Sequence, residues 1–204
     1  MTADLARTYR LHDVLDTPLD VDAHLAGIPE YAAIKGYFAL TFYEYVGRHA
    51  PDAVAAYQAL YPRRPAPTAD VPAREFGRRL ADAARLAHPD QPLTEGLRRI
   101  GRSIYQSARS SLLGRLILHA LGTAFDLVAS QAPRAYEVFE KHGCVIRFER
   151  VGERHFRYDL DPGHPFLGSY HVGILEGAAM AFDVEPTITV ELDGEYRGAI
   201  SCRW

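Results

Sequence analysis

Ile188-Thr189-Val190-Glu191-Leu192-Asp193-Gly194, followed by Gly198-Ala199-Ile200-Ser201-Cys202-Arg203-Trp204, decides the fold. Apolar residues occupy every second position on either side of a turn signal. Such alternation marks strands with one face on a core and the other toward water. Asp193-Gly194 predicts a tight hairpin, because Asp-Gly suits a type I′ turn with two positive φ angles. The same pattern lies upstream. Cys144, Ile146 and Phe148 share one face of a strand, opposite Arg147 and Glu149; Phe156, Tyr158 and Leu160 then alternate with His155, Arg157 and Asp159. Between the two hairpins, Val172, Leu175, Ala178, Ala179 and Phe182 recur at helical spacing. The fold class is therefore α+β: hairpin, helix, hairpin, an antiparallel sheet of about four strands with a helix on its face.

The residues before this unit are helical in pattern. Ile34, Phe38, Phe42 and Tyr45 form one stripe and Val54, Tyr57 and Leu60 another. Pro62, Pro65 and Pro67 exclude helix interior and mark a linker. Asp70 reads as an N-cap, with Pro72 in the first turn of a helix carrying Phe76, Leu80, Ala83, Ala84 and Ala87 and ending at His88-Pro89. Thr94 reads as the cap of a longer helix running to about Leu121, and Leu112 to Leu121 is apolar on nearly all sides, as a buried helix is. Two further helical segments, Phe125–Ser130 and Arg134–Lys141, are expected to break at Pro133. Residues 1–30, with Pro18, Pro29 and four aspartates between Asp13 and Asp22, read as an irregular segment with at most a short strand. The expected organisation is an N-terminal segment, 1–30, and one α+β domain, 31–204, divided into a helical part, 31–142, and a sheet part, 143–204.

With 48% hydrophobic residues the chain can build a core, which excludes disorder over most of its length. A net charge of −3 argues against a nucleic-acid footprint, which would be strongly basic. Two cysteines exclude a disulfide framework and fit a reducing compartment. No apolar run nears the roughly 20 residues of a membrane span, and Met1–Arg10 lacks the apolar segment of a secretory signal. A cytoplasmic protein, away from membranes and nucleic acid, is expected.

Ile34-Lys35-Gly36-Tyr37-Phe38, Arg63-Arg64-Pro65, Leu113-Gly114-Arg115, Gly173-Ile174-Leu175-Glu176-Gly177 and the final Arg203-Trp204, in this order, resemble a large paralogous family of uncharacterised proteins expanded in myxobacteria. These are packing and turn positions, with no catalytic signature among them. More distantly, the layout is similar to haem-nitric oxide/oxygen-binding (H-NOX) domains and to 4-vinyl reductase-like domains. The resemblance implies a small-molecule or haem cavity between a helical half and a sheet. H-NOX domains hold haem through a proximal His and a Tyr-x-Ser-x-Arg motif on a downstream strand. Tyr105-Gln106-Ser107-Ala108-Arg109 has those letters but falls in a helical stripe, and the matching strand position, Tyr158-Asp159-Leu160-Asp161-Pro162, keeps only the Tyr. The proximal His is expected around Asp126 to Ser130, where there is none; His119 stands about two turns early. The vinyl reductase-like domains can hold Zn²⁺, and Glu191 and Cys202 match two of its ligand positions, with His171 the one substitute for a missing Cys. Two ligands do not close a tetrahedral site, so no metal is expected.

Other chemistry is sparse. There is no Gly-x-Ser-x-Gly, phosphate loop or dinucleotide fingerprint, and no nucleophile with a base on its own face, so no catalytic residue and no enzyme is expected. Gly173 and Gly177 read as a site of close helix–sheet packing. Arg102, Arg109 and Arg115 share a helix sector that suits an anion or, by default, neighbouring carboxylates. The leading expectation is a non-catalytic sensory or regulatory module that binds a small, mostly apolar ligand, touched by Tyr37, Phe38, Phe42, Arg115 and His119. The alternative is a protein–protein interaction module, a signalling adaptor or homodimer without ligand, and a haem-based gas sensor is the third reading. No cofactor is otherwise expected.

Overall fold

A computed structural model of the chain describes residues 7–10, 18–110, 124–142, 145–160, 164–193 and 197–204; for 7–10, 106–110, 138–142, 193 and 197 it describes the backbone alone. The elements in order are β1 (Arg7–Arg10), α1 (Val21–Ala26), β2 (Ala33–Lys35), α2 (Gly36–His49), α3 (Val54–Leu60), β3 (Asp70–Pro72), α4 (Ala73–Ala87), α5 (Leu93–Ser110), α6 (Phe125–Phe139), β4 (Glu140–His142), β5 (Ile146–Gly152), β6 (His155–Leu160), α7 (Val172–Met180), β7 (Thr187–Asp193) and β8 (Arg197–Arg203). A π turn, Leu167–His171, leads into α7.

The alternating segments form an antiparallel sheet ordered β1-β7-β8-β6-β5, four strands from the two hairpins plus β1 at one edge. Val190 faces Ile200, which faces Tyr158, so the apolar parity of three strands falls on one side. That side is buried: Phe156, Val190, Ile200 and Cys202 are at most 2% exposed, and Ile188 is 7% exposed. Val172, Leu175 and Ala179 of α7 pack onto it. The ladder between β7 and β8 closes at Asp193 opposite Arg197, leaving three residues between the last pair. Asp193-Gly194 is therefore not the centre of a two-residue turn, since Asp193 is itself a ladder residue.

A second core fills the helical half around Phe42, Phe76, Leu80, Leu97 and Ile100, each at most 1% exposed. The two cores meet where α5 lies along α7. A Cβ on Gly173 would stand 2.0 Å from the Arg98 carbonyl oxygen, and one on Gly177 would stand 2.3 Å from that of Arg102. The two glycines thus let helix backbones touch helix backbone; the close partner is α5 rather than the sheet. Glu176, between them, accepts from Arg98 Nε and from Arg102 Nη2, both at 2.8 Å. Arg102 is accordingly bound to a carboxylate.

Other local expectations are corrected. Asp70 does not cap α4: it lies on β3, paired with β2, and forms an ion pair with Lys35. Within residues 1–30, α1 forms where a loop is expected, with the Asp20 side chain accepting from the Asp22 and Ala23 amides at 3.0 Å; β1 supplies the short strand. Pro133 does not break the chain into two helices, because α6 runs through it. A proline at 133 removes the amide that would bond the Ala129 carbonyl four residues earlier. The Tyr158 hydroxyl, reaching from β6, donates to that carbonyl at 2.6 Å. The apolar rod expected from Leu112 to Leu121 lies outside the described residues.

Candidate functional site

Between α5, α6 and α7 on one side and the inner face of the sheet on the other, a cavity of about 130 Å³ is lined by side chains from all of them. Tyr105 contributes from α5, Phe125, Ala129, Ala132 and Tyr136 from α6, Ile174, Leu175 and Ala178 from α7, and Ile146, Tyr158, Leu160 and Ile200 from the sheet. The small residues matter most. Ala129 and Ala132 on α6 and Ala178 on α7 stop short of the sheet, and the gap they leave is the cavity.

The wall is apolar with a few polar atoms. Tyr158 spends its hydroxyl proton on the Ala129 carbonyl. His171, the last residue of the π turn, also lines the cavity. Its Nδ1 lies 3.2 Å from the Tyr136 hydroxyl. Its Nε2 is buried and has no hydrogen-bond partner among the described residues. Burial and the adjacent His164 ring hold the His171 pKa well below the ordinary histidine value. His164, 5.0 Å away ring to ring, is brought down by burial to about 4. Both imidazoles are therefore neutral at pH 7. At its other end the π turn starts from Phe166, whose φ of 58° is left-handed. The Phe166 amide donates to His24 Nε2 of α1 at 2.9 Å, and the two rings stack at 4.8 Å. The segment carrying His171 is thus tied to the helical half.

The cavity is close in volume to an engineered apolar cavity of about 150 Å³ that takes benzene. A porphyrin is several times larger and carries two carboxylates, for which the described wall provides no cation. The residues described do not fit haem. Tyr105, first of the apparent propionate motif, lies within α5 and not on a strand.

Of the residues expected to touch a ligand, Phe42 lies in the helical core at 0% exposure, its ring 5.0 Å from that of Phe76. Phe38 packs at the border of the same core, with Tyr37 edge-on to it at 5.5 Å. None of the three lines the cavity. Arg115 and His119 lie outside the described residues. Glu191 and Cys202, the two zinc positions, have opposite parity in the β7–β8 ladder: Cys202 faces Ile188 in the core, while Glu191 bonds Arg157 at 2.6 Å on the outer face. They cannot share an ion with His171. The groups that sequence reasoning passed over are Tyr136 and the cavity-facing role of His171. The signal available for Tyr158 was its place on the apolar parity of β6, a hydroxyl on an inward face that needs a partner.

A sequence model described as "Protein of unknown function (DUF2378)" matches residues 30–204, and the chain belongs to that family. Among curated proteins, none matches. Solved structures similar in fold include one described as "Modulating Heme Redox Potential Through Protein-Induced Porphyrin Distortion", at 15% identity over 84% of this chain and 100% of that one, with a TM-score of 0.67. An H-NOX protein from S. oneidensis in the Fe(II)NO ligation state is 11% identical over 83% of this chain and 98% of its own, with a TM-score of 0.65. An Fe(II) unliganded H-NOX protein variant from K. algicida is 12% identical over 83% of this chain and 96% of its own, with a TM-score of 0.64. The fold is that of H-NOX domains. Among the described residues, no helix is long and apolar enough to cross a membrane.

Proposed function

We propose that this DUF2378 protein is a non-catalytic sensory or regulatory module that holds a small, mostly apolar molecule in the cavity between α5, α6, α7 and the sheet. The carrying observation is the cavity itself, about 130 Å³ walled by Phe125, Ile146, Leu160, Leu175, Ala178 and Ile200. Natural cores are packed to near crystal density, and a void of this size forfeits contacts that filling would recover. An apolar guest recovers them. The H-NOX likeness supports a bound small molecule as the use of this space, without the porphyrin. The bridge from Phe166 to His24 supports a readout in the helical half, because the cavity wall and α1 share one segment.

Toluene is the test. Saturating toluene stabilises the native state by about 2.7 kcal/mol at a hundred times its Kd, a rise of about 5–10 °C in Tm for a chain this long. Ala178→Leu fills the space and removes the rise. An unchanged Tm with toluene across its solubility range sinks the proposal.

One observation favours the second reading, an interaction module that pairs with its own copy. Among the described residues β5 ends the sheet, and Val145 just before it and Val151 within it are 47% and 50% exposed. An unpaired edge with apolar flanks is a template for strand addition. Light scattering that shows a monomer from micromolar to millimolar concentration removes this reading.

A further inference from the structure

A buried imidazole nitrogen on the cavity wall, without a hydrogen-bond partner among the described residues, specifies the ligand. His171 is 6% exposed, sits on the cavity wall, and is fixed at Nδ1 by the Tyr136 hydroxyl, while its Nε2 has no partner among the described residues. A buried nitrogen left in this state is costly, which is why such atoms in native proteins are almost always paired. The neighbours facing His171 are His164 and the ring of Tyr170, at 5.0 and 5.3 Å between centroids. The remaining wall is apolar but for Tyr105 and Tyr158, and the latter's proton is already committed to Ala129.

Resting on the cavity reading above, we infer that the ligand is a neutral single-ring molecule bearing one hydroxyl, with His171 Nε2 its specificity-determining partner. The size follows from the volume. The hydroxyl follows from the imidazole. A neutral imidazole donates at one nitrogen and accepts at the other. With Tyr136 donating to Nδ1, Nε2 carries the proton and the ligand oxygen accepts it; with Nδ1–H donating to Tyr136, Nε2 takes the ligand's proton. A hydroxyl serves both tautomers, whereas a carbonyl serves only the first and an ammonium, which donates but cannot accept, only the second. The burial that keeps His171 neutral also disfavours a carboxylate or phosphate, which would enter without a counter-charge among the described wall residues.

Phenol and benzene, titrated into the full chain at pH 7.5 by calorimetry, separate this inference from the reading beneath it. Phenol is expected to bind about tenfold more tightly than benzene, the worth of one neutral hydrogen bond to an otherwise unmatched group. In His171→Leu that preference is expected to vanish while benzene still binds; in His171→Gln, whose amide keeps a polar atom near the Nε2 position, part of it returns. The imidazole nitrogen resonance missing from His171→Gln identifies His171, and it is expected to shift on phenol addition and not on benzene addition. Equal binding of phenol and benzene by the wild-type chain overturns the hydroxyl assignment and leaves the apolar cavity standing. A phenol preference that survives His171→Leu overturns the role of His171. Binding of neither probe overturns both this inference and the cavity reading.

Discussion

Gly173→Ala and Gly47→Ala are the same chemical change in two helix interiors, and the structure gives them opposite signs. Each gains up to about 1 kcal/mol of helix propensity. At Gly47, on the exposed side of α2, the new methyl meets nothing nearer than Val54 Cγ2 at 3.9 Å, so the gain is kept. At Gly173 the methyl would lie 2.0 Å from the Arg98 carbonyl oxygen and 3.0 Å from the Arg102 amide nitrogen. Both are backbone of α5, which cannot rotate away as a side chain does. Ordinary contact begins near 3.4 Å, so the helices must part by about 1.4 Å. That movement stretches the bonds from Arg98 and Arg102 to Glu176, now 2.8 Å each, to the limit of hydrogen bonding. Overpacking costs about 1–3 kcal/mol, and a weakened charged hydrogen bond about 1.5–3 kcal/mol more. Less the propensity gain, Gly173→Ala is expected to lose about 1.5–5 kcal/mol, centred near 3. Thermal unfolding by circular dichroism should show Tm lower by about 5–12 °C, against a rise of about 2 °C for Gly47→Ala. Equal Tm values for the two variants would refute the account of how α5 and α7 pack.

Tyr158→Phe is expected to cost about 1–3 kcal/mol by stranding the Ala129 carbonyl, and clearly less in a Pro133→Ala background, where the residue-133 amide can return to that carbonyl; additive effects in a urea-melt double-mutant cycle would dissociate the two. Acid should destabilise the protein through the buried histidines. Burial puts the His164 pKa at about 4 in the folded state against about 6.5 unfolded, so protonation favours the unfolded chain. Its contribution is full above pH 6.5 and is lost as pH falls toward 4, roughly 3 kcal/mol in all, with His171 acting in the same direction; urea midpoints at pH 7.5, 6 and 5 should fall in that order, and a flatter profile is expected for His164→Leu. Cys202 is fully buried and its thiol is pushed up to about 12, so in a Cys144→Ser background Ellman's reagent should react only on unfolding; reaction at the rate of a free thiol in native buffer would place β8 wrongly.

The sheet was legible because burial on one face writes itself into every second residue. The predicted strands at 144–151 and 155–160 and the alternating runs from Ile188 agree with β5, β6, β7 and β8 to within about two residues. What was not legible depends on partners far along the chain. Pro133 reads as a break to anyone without Tyr158, which arrives 25 positions later. Asp70 reads as a cap until Lys35 is beside it. The site was harder still. A cavity is made by what Ala129, Ala132 and Ala178 lack, and short side chains at helical spacing look the same whether the space beside them is filled or not. Aromatic density drew attention to Tyr37, Phe38 and Phe42, but aromatics fill cores as readily as they line pockets, and Phe42 fills one.

The contact of α5 with α7 also decides where the molecule can give. Glycine against peptide on one flank and Leu175 against the sheet on the other leave α7 no slack. A guest swelling the cavity therefore meets one hard jaw, and the displacement goes to the opposite one. That jaw is α6, seamed by its proline and held to the sheet by the Tyr158 phenol and the ion pair of Asp126 with Arg150. In mechanical terms the domain is a vice whose fixed plate is α7.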